Sequence, residues 1–174
     1  MMLNLGDLLF IPYLTAAGTI DHQYQGKIGV YAIFDQAQIL QYVGYSRDLA
    51  ASLLQHLVRQ PQACWWLKLH MIDRPQRELL ENLRRAWLEE NGAVPPGNGE
   101  AQPLWCQPID VRPYLTATEQ ISLHQGDDLA QAKLLKAVAR RVEAERQAEL
   151  KARGLTQEIR FQPKLKEQGL LDVK

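Results

Sequence analysis

Apolar and polar positions alternate along three short stretches of the chain and recur at helical spacing along three longer ones. Val30, Ala32 and Phe34 alternate with Tyr31, Ile33 and Asp35, which predicts a first strand, and Ile39 to Tyr45 predicts a second. Asp35 to Gln38 closes the hairpin between them. Leu49, Leu53, Leu54 and Leu57 share one helical face, so a helix is predicted from Leu49 to Arg59, capped by Asp48 or Ser46 and stopped before Pro61. Trp65 to Ile72 alternates again as a third strand. Pro75 fits the first turn of a second helix through Leu79, Leu80, Leu83, Trp87 and Leu88, ended by Asn91-Gly92.

This order predicts an α+β fold: a small three-stranded antiparallel sheet flanked by helices, spanning residues 28–99. Residues 1–27 read as a capping segment that packs Leu8, Phe10, Ile11 and Leu14 on that domain. Residues 100–126 lose clear periodicity and read as an irregular connection. From 127 the chain is rich in strong helix formers up to Arg153, with Asp127-Asp128 suited to a helix start. Its apolar positions thin out after Val142, so residues 127–174 read as a mainly helical extension whose distal half is exposed or covered by a partner. The last stretch, Ile159 to Lys174, has no strong periodicity and reads as folding against something else.

Composition changes this picture little. Hydrophobic residues make up 46% of 174, ordinary for a globular protein. Twenty basic residues balance twenty acidic ones, which removes any global electrostatic case for nucleic acid and leaves local patches. One such patch is residues 47–85, with seven Lys or Arg against four Asp or Glu. Cys64 and Cys106 lie far apart and outside any Cys-x-x-Cys spacing, so a reducing cytoplasm is the expected setting. No apolar run approaches the ~20 residues needed to span a bilayer.

The chemistry-bearing residues concentrate in the hairpin. Tyr31 and Tyr42 fall on neighbouring antiparallel strands and could act on one substrate atom if the register puts them on one face. Gly29-Val30-Tyr31 and Tyr42-Val43-Gly44, ten residues apart between the tyrosines, resemble the paired tripeptides of the GIY-YIG nuclease family. Trp87-Leu88-Glu89-Glu90 and Val94-Pro95-Pro96-Gly97-Asn98 make the chain similar in particular to the GIY-YIG domain that precedes a glutaredoxin in plant plastid proteins.

The resemblance implies a DNA endonuclease-like domain that hydrolyses phosphodiesters. It implies Tyr31 as the group that takes the proton from water, with Tyr42 and His56 beside it. It also implies a single Mg²⁺ or other divalent ion held by Glu89, with Glu90 and Glu81 in reserve, and Asn98 after the helix. Gly29 and Gly44 are the glycines of the two tripeptides. A phenol with an ordinary pKa of ~10 does this work only if nearby cations lower that value.

The chain departs from the family at one position. The arginine expected ten residues after the second tyrosine is Ser52, while His56 matches the partner four residues later. Losing a bidentate cation there should slow turnover by on the order of 10² to 10³-fold. Arg47 at the helix start is the candidate replacement. The competing expectation is a catalytically degenerate scaffold that binds nucleic acid or protein, with self-association or a protein partner at the C-terminal helix.

Overall fold

The computed structural model describes residues 3–174, and the chain divides into two compact units, residues 1–106 with 153–157 and residues 107–152 with 158–174. The first unit is built on a four-stranded antiparallel sheet of β1 (Ile11–Pro12), β2 (Ile28–Phe34), β3 (Leu40–Ser46) and β4 (Trp66–Ile72) in the order β1-β4-β2-β3. Three of these are the predicted strands, and β1 is an addition. Ile11 and Pro12 pair with Leu67 and Trp66, so Ile11 sits exposed on a sheet edge while Leu8 and Phe10 pack on the core. Two residues of strand leave no alternation to read, because the pairing partner lies more than fifty residues away.

Two helices flank the sheet. α1 (Leu49–Arg59) is capped by the Asp48 carboxylate, which accepts from the Ala51 and Gly26 amides. α2 (Arg77–Asn91) starts after Gln76, so Pro75 lies outside its first turn, and it ends at Gly92 in the left-handed conformation (φ 78°). Leu80, Leu83 and Trp87 of α2 join Val30, Ala32, Phe34 and Val43 in one core cluster, which fixes the face of the sheet that α2 covers. Residues of the opposite parity on β2, Tyr31 and Ile33, therefore point to the other face. A short helix α3 (Gln102–Cys106) follows the 3₁₀ turn Pro96–Asn98, in the stretch predicted to be irregular.

The second unit holds β5 (Ile109–Asp110), α4 (Ala117–Gln125), α5 (Asp128–Arg153, whose final residue belongs to the first unit), α6 (Pro163–Lys166) and β6 (Leu170–Leu171). The predicted long helix is α5, with Asp127 accepting from the Ala130 amide at its start. Its distal half is not uniformly exposed, since Leu150 is buried. The chain end pairs within its own unit: β6 runs antiparallel to β5, and Phe161 bridges to Val173. Among the described residues no helix is long and apolar enough to cross a membrane.

Candidate active site

The register of the hairpin decides what the tyrosines can do together. Tyr31 lies opposite Gly44 and Ile33 opposite Tyr42, so both phenol rings stand on the sheet face turned away from α2. The rings are 6.0 Å apart between centroids, and His56, reaching down from α1, lies 5.6 Å from the Tyr31 ring and 4.6 Å from the Tyr42 ring. Tyr31 Oη and His56 Nε2 share a hydrogen bond of 2.8 Å. A methyl group at Gly44 would sit 2.9 Å from each phenol oxygen and 2.6 Å from Tyr42 Cε1. The glycine is thus required because both hydroxyls converge over it. Gly29 serves strand packing instead, since a side chain there would strike the His70 carbonyl of β4.

The other predicted residues separate into two groups. Ser52 belongs to the cluster: its Oγ donates to Ser46 Oγ at 2.7 Å, and its hydroxyl also acts on Tyr31. Asn98 holds the backbone beneath it. Its Oδ1 accepts from the Val43 amide and its Nδ2 donates to the Val43 carbonyl, both at 2.8 Å. Val43 lies on edge strand β3, so Asn98 supplies the pairing that a fifth strand would otherwise give. Arg47 is exposed at the start of α1 and makes no contact with the phenols.

Glu89 is not brought to the phenols. It lies on α2, which covers the opposite sheet face, and it points to solvent. Glu90 is committed elsewhere, accepting from the amides of Leu5 and Gly6 at 2.6 and 2.8 Å. Glu81 accepts from Arg77 Nε and from Tyr45 Oη. Among the described residues no carboxylate is hydrogen-bonded to either phenol, and no three His, Cys, Asp or Glu side chains gather as a metal site. A divalent ion anchored at Glu89 does not fit beside Tyr31 and Tyr42.

Four residues that sequence reasoning did not assign to the cluster, Trp105, Gly97, Cys106 and Arg84, complete or support it. Trp105 of α3 stacks on Tyr42 with centroids 5.4 Å apart and planes within 6°. Its carbonyl accepts from Arg59 Nη1 at 3.0 Å, which ties α3 to α1. Gly97 makes the approach possible, because a methyl there would meet the Gln41 carbonyl at 2.7 Å and the Trp105 ring at 3.0 Å. The run Pro95-Pro96-Gly97-Asn98 therefore seats the indole and pairs the edge strand in two consecutive residues. Cys106 Sγ lies 3.6 Å from Tyr42 Oη, and Arg84 reaches the Val43 carbonyl from α2 with Nε at 3.3 Å. The Cys106 contact had no readable signal, and Arg84 was visible only as part of a basic stretch.

Burial sets the protonation states. Desolvation, reinforced by each other's proximity, pushes the Tyr31 phenol well above its ordinary value. Burial also raises Tyr42, with the thiol of Cys106 adding to it and the Arg84 guanidinium pulling the other way. Burial and the neighbouring Arg59 charge push His56 down to about 3, and the Trp105 carbonyl offsets this only in part. At neutral pH the cluster is two protonated phenols and a neutral imidazole.

The chain matches no known protein-family profile. It is 40% identical over 74 residues to the bifunctional monothiol glutaredoxin-S16 of the chloroplast of Arabidopsis thaliana, a match covering 40% of this chain and 25% of that protein. The shared stretch is thus about a quarter of the plant protein, and the similarity is to one region of it.

Proposed function

We propose that residues 28–106 work as a GIY-YIG-type domain directed at DNA, hydrolysing phosphodiesters slowly at the cluster of Tyr31, Tyr42 and His56. The observation that carries this reading is the 2.8 Å contact of Tyr31 Oη with His56 Nε2, beside a second phenol whose hydroxyl converges on the first over Gly44. Tyr42 is the less buried phenol and orients the attacking water. Its proton passes to Tyr31 as it takes the proton of the water, and the proton of Tyr31 passes to His56 Nε2. The hydroxide so formed makes the new P–O bond as the bond to the departing sugar oxygen breaks, and that oxygen takes its proton from solvent. The relay ends as an imidazolium, an unfavourable acceptor because its pKa lies near 3, and this makes hydrolysis slow. Ser52 adds to the slowness by supplying a hydroxyl where a cation would hold the phosphate. No divalent ion takes part in this relay, because Glu89, the residue expected to hold one, lies across the sheet.

A second reading is supported by the stack of Trp105 on Tyr42, which covers one face of the less buried phenol. In it the scaffold binds DNA without cutting it. Nicking of supercoiled plasmid by the pure protein, with and without Mg²⁺, separates the two. Tyr31→Phe and His56→Gln should each slow nicking at least tenfold, Ser52→Arg should speed it, and Glu89→Ala should leave it unchanged. If Tyr31→Phe nicks as fast as the parent, hydrolysis does not occur at this cluster.

A further inference from the structure

Where β3 ends, a cleft of about 350 Å³ is lined by Tyr45, Ser46, Arg47, Pro75, Arg77 and Leu80, all of the first unit. Tyr45 packs on the core cluster under α2 and donates from Oη to Glu81 of that helix. The wall made by Tyr45 and Leu80 therefore stands across the sheet from Tyr31 and Tyr42. The volume sits at the low end of the range for small-molecule sites.

The lining divides into an apolar part and a cationic part. Leu80 is buried, and with Pro75 and the Tyr45 ring it offers a hydrocarbon surface. Arg47 and Arg77 bring two guanidiniums, while no Asp or Glu is among the lining residues. That imbalance is local, since the whole chain carries twenty basic and twenty acidic residues. Arg47 makes no hydrogen bond or ion pair with any described residue, so its charge is available to a ligand. Arg77 engages Glu81 through Nε at 2.8 Å, and its side chain is 85% exposed, which leaves its Nη groups open to a ligand's oxygens.

A guanidinium recognises an oxyanion through paired N–H donors. Two guanidiniums on different elements at one cleft call for two acidic groups on one ligand, because a monoanion leaves the second without a counter-charge. A dianion without a carbon body meets the two cations and leaves Leu80 and Pro75 uncovered, so the apolar part calls for a hydrocarbon skeleton between the acidic groups.

We infer that this cleft binds a small dicarboxylate with an apolar body, one acidic group on Arg47, the other on Arg77, and the skeleton against Pro75, Leu80 and the Tyr45 ring. The inference stands apart from the hydrolytic reading, since it uses none of the phenol cluster. Glu81 tempers the affinity by competing for Arg77. The bound molecule ties the lead-in to α1 to the first residue of α2, so binding stabilises the folded chain.

Amide proton–nitrogen correlation spectra of the full chain, titrated at neutral pH with isophthalate, test this. Shifts should move and saturate at residues 45–47 and 75–80. Benzoate lacks the second charge and malonate lacks the apolar body, so each should bind at least about fivefold more weakly. Phenyl phosphate, which carries both charges on one group, should also bind more weakly. Arg47→Ala/Arg77→Ala should weaken isophthalate at least about tenfold and abolish the rise in melting temperature that isophthalate gives the parent. Arg140→Ala/Lys164→Ala, two exposed charges of the second unit, should do neither. Glu81→Gln removes the competing carboxylate and should tighten binding a few-fold.

Arg47 and Arg77 lie at the surface, so without ligand the double variant should melt like the parent. The site is overturned by an absence of isophthalate-dependent shifts at 45–47 and 75–80, or by parent-like binding in the double variant. Benzoate or malonate binding as tightly as isophthalate overturns it too, and phenyl phosphate binding more tightly overturns the assignment of two separate acidic groups.

Discussion

Gly44 shows how one missing atom group builds a site, because the two phenol oxygens occupy the space that any side chain at 44 would need. The same crowding buries Tyr31 and His56, and His56 carries the consequence. Its neutral form is favoured by burial beside Arg59, so its folded pKa of about 3 lies below the ordinary value of ~6.5. Between those values the unfolded chain binds a proton that the native one refuses, so stability is fully present above about pH 6.5 and falls as pH drops toward 3. Acidification from about pH 6.5 to 4.5 should cost roughly 2–3 kcal/mol from this residue. His56→Gln, which keeps a polar partner for Tyr31 and does not titrate, should flatten that part of the curve. Chemical denaturation at several pH values measures it, and identical slopes for parent and variant would show that His56 is not the titrating group.

At the scale of elements, the 3₁₀ turn Pro96–Asn98 holds the sheet edge and seats the Trp105 ring at once. Asn98→Ala removes both bonds to Val43, leaving the Val43 amide without a partner and its carbonyl with only the Arg84 contact, a loss of about 1–3 kcal/mol. Asn98→Asp should cost more, because its second oxygen would face the Val43 carbonyl without a proton between them. Thermal melts rank the three proteins, and an aspartate variant as stable as the parent would show that the edge pairing is not what Asn98 provides.

Tyr31, Tyr42, His56 and Ser52 were readable as neighbours, because the hairpin and the first turns of α1 are local and their spacing fixes their faces. Trp105 was not, since its partner Tyr42 is sixty residues away and an apolar side chain carries no sign of what it stacks on. Glu89 failed to converge for a related reason: the sequence places it on a helix but does not say which sheet face that helix covers. α4 falls in the stretch predicted to be irregular. Thr116 and Glu119 form a reciprocal capping box, yet the helix buries no residue and so shows no amphipathic period.

For the molecule as a whole, the chain crosses between its two units three times, and the middle segment has a distinct task. Residues 153–157 leave the end of α5 and return to the first unit, so the second unit is interrupted in sequence. Arg153 donates from Nη2 to the Cys64 carbonyl at 2.7 Å and stacks its guanidinium 3.7 Å from the centre of the Trp65 ring. Thr156 bonds the Ala17 and Gly18 carbonyls, and Gln157 accepts from the Ile20 amide. These contacts hold residues 17–20, which have little regular structure of their own. A chain ending at residue 152 therefore loses more than its C-terminal residues, because the first unit is left with unpaired carbonyls and an uncovered indole. Arg153→Ala in the full chain should lower stability by about 1–3 kcal/mol through the lost carbonyl bond and cation–π contact. A chain truncated after 152 should melt several degrees lower still, and hydrogen exchange at residues 17–20 should speed up in both. Unchanged exchange at 17–20 in the truncated chain would mean that the first unit holds itself together without its returning segment, residues 153–157.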